Sequence, residues 1–132
     1  MDINSRKDIE LLVNTFYKRV TKDETIGFIF NDVVKVDWNN HMPNMYNFWE
    51  TILLNTPKYY GNTMGVHFDV NRKIKLEAKH FNKWIELFFS TIDELFQGEV
   101  AENAKKRAKS VADLMLFKMN QENDPQNIGN KT

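Results

Sequence analysis

The side chains best equipped for chemistry are three histidines, His41, His67 and His80, each set among large apolar or aromatic residues. His41 lies in Trp38-Asn-Asn-His41-Met42, shortly before Phe48-Trp49. His67 closes a stretch holding Gly61 and Gly65 and is followed by Phe68, and His80 opens the run Phe81, Trp84, Ile85, Phe88, Phe89. A neutral imidazole ligates metals well. Set among aromatic rings, it suits a flat, apolar, metal-centred cofactor such as haem. The same composition also suits an ordinary helical core with three hydrogen-bonded histidines.

Most other chemistry is missing its residues. There is no glycine-rich phosphate loop, nucleophile elbow or His-Glu-x-x-His pair. The chain has no cysteine, which removes disulfides, thiolate zinc, iron–sulfur ligation, covalent haem attachment and a cysteine nucleophile. No two histidines fall three or four residues apart, so a zinc site would need ligands from distant segments. Asp37 with His41, or Glu77 with His80, reads more simply as a hydrogen-bonded carboxylate–imidazole pair.

Haem b demands less: one imidazole on the proximal side, a cavity on the distal side, and apolar walls. His67 suits the proximal role, because a loop can aim its ring without the constraints of a helix face. His41, on a different element, suits the opposite side. Tyr17 would add a hydroxyl donor, which stabilises a ligand that gains negative charge on binding. Each has a plainer alternative: Tyr17 as a partly exposed helix residue, Trp84 as a core anchor, and His41 as an N-terminal-turn residue bonded to Asp37.

These groups need helices to hold them. Ser5 and Asp8 resemble a capping box, and Ile9, Leu12, Val13, Phe16 and Val20 recur at helical spacing, predicting a first helix over residues 6–21. Phe28-Ile29-Phe30 predicts a single helical turn. Asp37 caps a second helix whose buried stripe is Trp38, Met42, Met45, Trp49, Ile52 and Leu53. Pro43 requires either a loose first turn or a start near Pro43 itself. Residues 55–75, with Pro57, Gly61 and Gly65, predict a long loop around His67. Helices follow over 76–96, stopped by Gly98, and over 100–119, where Ala104, Ala108 and Ala112 imply close helix approach. The fold class expected is all-α: one domain over residues 1–119, and a polar, disordered tail over 120–132.

Composition sets the setting. The 132 residues are 42% hydrophobic and 13% aromatic, more ring surface than a minimal helical core requires, as a pocket would need. Lys+Arg and Asp+Glu balance at 18 each, so no nucleic-acid partner is expected. The clusters Arg72-Lys73 and Lys105-Lys106-Arg107 read as solvated faces, or as a rim pairing with anionic groups of a ligand. No apolar stretch long enough to span a bilayer and no secretory leader are evident, so a cytoplasmic protein without a membrane partner is expected.

Taken in order, Phe16-Tyr17, Ile29-Phe30, Trp38-x-x-His41, Phe48-Trp49, Tyr60-Gly61, His67 and His80-Phe81-x-x-Trp84 resemble the group III truncated haemoglobins. So does Leu87-Phe88-x-x-Thr91-x-Asp93-x-x-Phe96-x-Gly98. The match covers about residues 8–118. Where that family often has proline two residues after the loop glycine, this chain has Thr63, and glycine pairs typical of other truncated globin groups are not evident.

The resemblance implies a two-over-two helical sandwich around one non-covalent haem b (iron protoporphyrin IX). His67 resembles the proximal iron ligand, Tyr17 the distal donor, His41 the distal gate, Trp84 the tryptophan beside the ligand and Phe30 a residue on the porphyrin face. Phe48 joins the haem contacts, and Arg72 or Lys73 would pair with a propionate. The function implied is binding of O2, NO, CO or a similar ligand. Nitric oxide dioxygenase or peroxidase-type activity fed by a reductase is its redox variant, in a chain expected to be monomeric. The competing class is a cofactor-free helical interaction module.

Overall fold

The computed structural model describes residues 1–33, 35–55 and 70–124. The expected loop at Pro57, Gly61, Thr63 and Gly65, the proximal candidate His67, and residues 125–132 lie outside the described residues.

Helix α1 spans Arg6–Lys22 and buries Ile9, Leu12, Val13, Phe16, Tyr17 and Val20. Ser5 is extended and its hydroxyl accepts the Asp8 N–H at 3.3 Å, as a cap should. The return half of the expected capping box is displaced: Asp8 accepts the Asn4 N–H at 2.9 Å. Aspartate is a methylene shorter than the glutamate that usually reaches back to the cap residue. After α1 the Asp23 carboxylate accepts the Thr25 and Ile26 N–H groups and turns the chain. Gly27 then passes so close to the end of α1 that a Cβ there would sit about 3 Å from the Val20 and Thr21 carbonyls. The turn expected at Phe28–Phe30 is a π-helical segment, Ile29–Val33.

Helix α2 spans Trp38–Leu54, with Asp37 accepting the Asn39 N–H as N-cap. Of the two starts that Pro43 left open, the earlier holds, and Pro43 lies inside the helix on its exposed side. Asn55, with φ 56°, ends it in the left-handed conformation. Trp49 and Leu53 are buried, while Trp38, Met42, Met45 and Ile52 are only half-buried against the core. The expected stripe is therefore partly covered, because α2 packs mainly on α1 and only lightly on the last helix. Arg6 ties α1 to α2 by donating to Glu50, itself buried, at 2.8 Å and to Asn47 at 2.7 Å.

Residues 70–73, within the stretch 55–75 expected to be loop, are helical and precede helix α3, Ala78–Leu95. Helix α3 starts two residues later than periodicity predicts: Leu76 is buried but lies outside it, and Glu77 is the N-cap. Gly98 does not stop α3. The helix ends at Leu95 with Phe96 already extended, and Gly98 is the N-cap of helix α4, Glu99–Asn123. The Asp2 carboxylate reaches across from the N-terminus to accept the Val100 and Ala101 N–H groups, each at 2.9 Å. A Cβ on residue 98 would land on that carboxylate. Desolvation pushes the Asp2 pKa up, but hydrogen bonds from Val100, Ala101 and Ile3 outweigh it and hold it below the usual carboxylate value.

Helix α4 also runs a turn further than its apolar face suggests. Its alanines 101, 104, 108 and 112 are buried, which lets α3 and α4 approach closely. Helix α1 packs on both α2 and α3, giving a two-over-two arrangement of α1 and α2 over α3 and α4. Among the described residues there is no strand, and no helix is long and apolar enough to cross a membrane.

Candidate functional site

Phe16 and Tyr17 are adjacent on α1, so their rings diverge by about 100° around the helix. Phe16 points to α3, meeting Trp84 at 5.5 Å and Phe88 at 5.1 Å between ring centroids. Tyr17 points the other way, into rings from the π-helical segment and from the first turn of α2. It meets His41 at 4.9 Å, Trp38 at 5.7 Å and Phe30 at 6.0 Å, all edge-on. Trp38 and His41 lie three residues apart on α2, so one face carries both, with centroids 5.5 Å apart. Trp38 also stacks on Phe30. Edge-to-face pairs of this kind contribute about 0.5–1.5 kcal/mol each beyond area burial.

Polarity in this cluster comes from Tyr17 and His41. Tyr17 is buried, and burial pushes its phenol pKa well above the usual tyrosine value, so at neutral pH it is an uncharged donor. His41 is half-buried, and its backbone N–H donates to the Asp37 carbonyl at 2.9 Å. The Asp37 carboxylate takes the Asn39 N–H and the Asn40 side-chain amide.

The structure thus gathers three of the expected site residues, Tyr17, Phe30 and His41, in one aromatic group. Trp84 stands one ring removed: half-buried, it stacks on Phe88 and reaches Tyr17 only through Phe16. Phe48 is half-buried and edge-on to Trp49, which stacks on Phe88. Arg72 and Lys73 are exposed, on the turn at 70–73, and Arg72 lies 3.4 Å from Glu122. Lys105 and Lys109 are ion-paired with Asp93, Glu102 and Asp113, the solvated face that charge patterning suggests. Trp38, part of the Trp38-x-x-His41 motif but given no site role, joins the group. Its signal was there, in the three-residue spacing to His41 on a helix face.

His80 has a structural task. Its Nδ1 accepts the Glu77 N–H at 2.9 Å, bracing the start of α3. Burial chiefly, with Lys79 adding and Glu77 opposing, holds its pKa below the usual histidine value. Among the described residues, no three His, Asp or Glu side chains gather in a cluster that could hold a metal ion.

The family description "Bacterial-like globin" matches residues 2–120. The chain is similar to the Group 3 truncated hemoglobin ctb of Campylobacter jejuni, with 27% identity over 111 residues, covering 82% of this chain and 85% of that protein. It is also similar to the crystal structure of a group III truncated hemoglobin from Campylobacter jejuni. There the TM-score is 0.78 with 25% identity, over 90% of this chain and 94% of the other. A four-helix sandwich that brings Tyr17, Phe30, Trp38 and His41 to one face, matched along nearly its whole length, leads to one assignment: the chain belongs to the bacterial-like globin family, as a group III truncated haemoglobin.

Proposed function

We propose that this globin holds haem b non-covalently with His67 as proximal ligand, and that Tyr17, His41 and Trp84 receive O2, NO, CO or a similar ligand opposite it. Membership of the globin family makes it a haem-binding and ligand-binding protein in general terms. The finer reading is supported by one observation: a buried phenol, held uncharged by burial, stands edge-on to the His41 ring on the side that Phe30 and Trp38 close. A neutral hydroxyl among aromatic rings is a donor from which a bound ligand can accept.

The donor set fits haem. Phe30, Phe48 and Trp38 supply rigid apolar walls, and Tyr17 and His41 supply polar groups on one side. Haem contributes an iron that binds diatomic ligands and exchanges electrons. The chain's own part is positional. Tyr17 donates to a ligand that has gained negative charge, and His41 and Trp38 shield that spot from water. Arg72 or Lys73 would pair with a propionate. For Arg72 this means competing with Glu122. The same pocket would support nitric oxide dioxygenation or peroxide reduction, with electrons from a separate reductase. A cytoplasmic, monomeric protein completes the reading, its domain reaching Asn123 at the end of α4 rather than ending at residue 119.

Titration of the haem-free protein with haemin tests it. The expected result is a Soret band saturating at one haem per chain and shifting when the reduced protein meets CO. A folded protein that takes up no haem would overturn the proposal and leave the cofactor-free helical module in its place.

A further inference from the structure

Trp38 meets each of the other rings beside Tyr17. It stacks on Phe30 with planes 21° apart, and it is edge-on to Tyr17 at 5.7 Å and to His41 at 5.5 Å. Phe30 and Trp38 are mounted differently. The π-helical segment that carries Phe30 is tied to the end of α1, where the Asn31 side-chain amide donates to the Thr21 carbonyl at 2.9 Å, and Ile29 beside it is buried. Trp38 opens α2 on a turn bounded by two breaks in regular backbone. Upstream, Lys35 takes the left-handed conformation at φ 54°, uncommon for a residue with a side chain. Downstream, Pro43 lies inside α2 and supplies no N–H to the Asn39 carbonyl, so one helical bond is missing there. Between the breaks the turn is held by its own cap. The Asp37 carbonyl accepts the Asn40 and His41 N–H groups, and the Asp37 carboxylate accepts the Asn39 N–H. One tether leads back: the Val36 N–H donates to the Phe30 carbonyl at 3.1 Å.

Hinges are a few loop or element-terminal residues that absorb changes in backbone angle, and π-helical segments often mark functional sites. We propose that the first turn of α2, moving between Lys35 and Pro43, is the door to the ligand side of the pocket, with the Trp38 indole as the panel that closes on Phe30 and Tyr17. This rests on the haem reading above and assigns the entrance within it. Trp38 sets how fast a ligand enters and leaves, whereas the Tyr17 hydroxyl sets how tightly it is held. A panel that only gates changes both rates by the same factor and leaves their ratio alone.

Two readouts in the haem-loaded protein test it: CO entry and release after flash photolysis, and amide hydrogen exchange at Asn40 and His41, which reports the turn itself. Trp38→Ala removes the panel. Pro43→Ala, on the exposed side of α2, restores the missing N–H and stiffens the turn without touching the rings. Ser5→Ala removes the α1 cap, a destabilisation elsewhere. In Trp38→Ala the expected result is entry and release both roughly tenfold faster, about the factor by which ring pairs of this kind hold the turn closed, with faster exchange at Asn40 and His41. In Pro43→Ala entry and exchange should both slow, and this variant decides if Trp38→Ala does not fold. Ser5→Ala should match wild type in both readouts. Unchanged entry in Trp38→Ala and Pro43→Ala, with CO still bound, overturns the door and leaves the haem reading standing. Equal acceleration in Ser5→Ala also overturns it. A wild type without any Soret band removes the haem reading and the door together, and is thereby distinguishable.

Discussion

The imidazole of His41 stands edge-on to the ring of Tyr17, with centroids 4.9 Å apart and planes at 85°. One residue comes from the middle of α1 and the other from the first turn of α2, so the pair exists only once the two helices have packed. Trp38 and Phe30, stacked on each other, close the same side. Tyr17 is held uncharged by burial and so can donate but not repel.

Tyr17→Phe should therefore change ligand kinetics and leave the fold alone. A hydrogen bond to a charged acceptor contributes about 1.5–3 kcal/mol, so O2 release should quicken by roughly 10- to 100-fold. The melting temperature should change little, because the ring that makes the packing contacts is kept. Stopped-flow measurement of the off-rate decides, and an unchanged rate removes Tyr17 from the ligand site.

Gly98→Ala should be costly for two separable reasons. At φ 145° and ψ −173° the backbone is in a region nearly restricted to glycine, which costs about 1–3 kcal/mol for other residues. The new Cβ also displaces Asp2 from the α4 N-terminus, and losing a cap costs about 1 kcal/mol. Urea unfolding should show a loss of about 2–4 kcal/mol for Gly98→Ala. The loss should be smaller when Asp2→Ala is already present. Full additivity would show that the two residues do not interact.

His80 predicts a pH dependence. Its Nδ1 accepts a backbone N–H, which requires the neutral ring, and burial chiefly holds its folded pKa below 6.5. The unfolded chain binds the proton more readily, so this group makes stability rise with pH between the depressed folded value and 6.5. Stability correspondingly falls as pH drops through that window. In His80→Gln the rise in unfolding free energy between about pH 5 and about pH 7 should be smaller than in wild type. Equal rises in the two proteins would remove His80 as the cause.

Helix existence and the all-α class were legible because Ile9, Leu12, Val13 and Phe16, and likewise Phe81, Phe88 and Ile92, keep strict helical spacing and end up buried. The ends were less so. Gly98 signals a stop for α3 in local terms, but its role depends on Asp2, almost a hundred residues away. Asn71, among charged neighbours, carried no sign of burial, since its partners Glu122 and Asn123 arrive only with tertiary folding. Of the site, Tyr17 and His41 could be singled out by residue type. That their rings would meet depended on how α1 and α2 cross, which spacing alone does not specify.

The central claim is that His67 holds the haem iron opposite the Tyr17–His41 side. The most direct test is the absorption spectrum of the reduced, CO-treated protein for wild type and His67→Gly, without and with added imidazole. The account predicts a sharp Soret band in wild type, its collapse in His67→Gly, and recovery when imidazole occupies the vacated position. A His67→Gly protein with the wild-type spectrum in the absence of imidazole would contradict it.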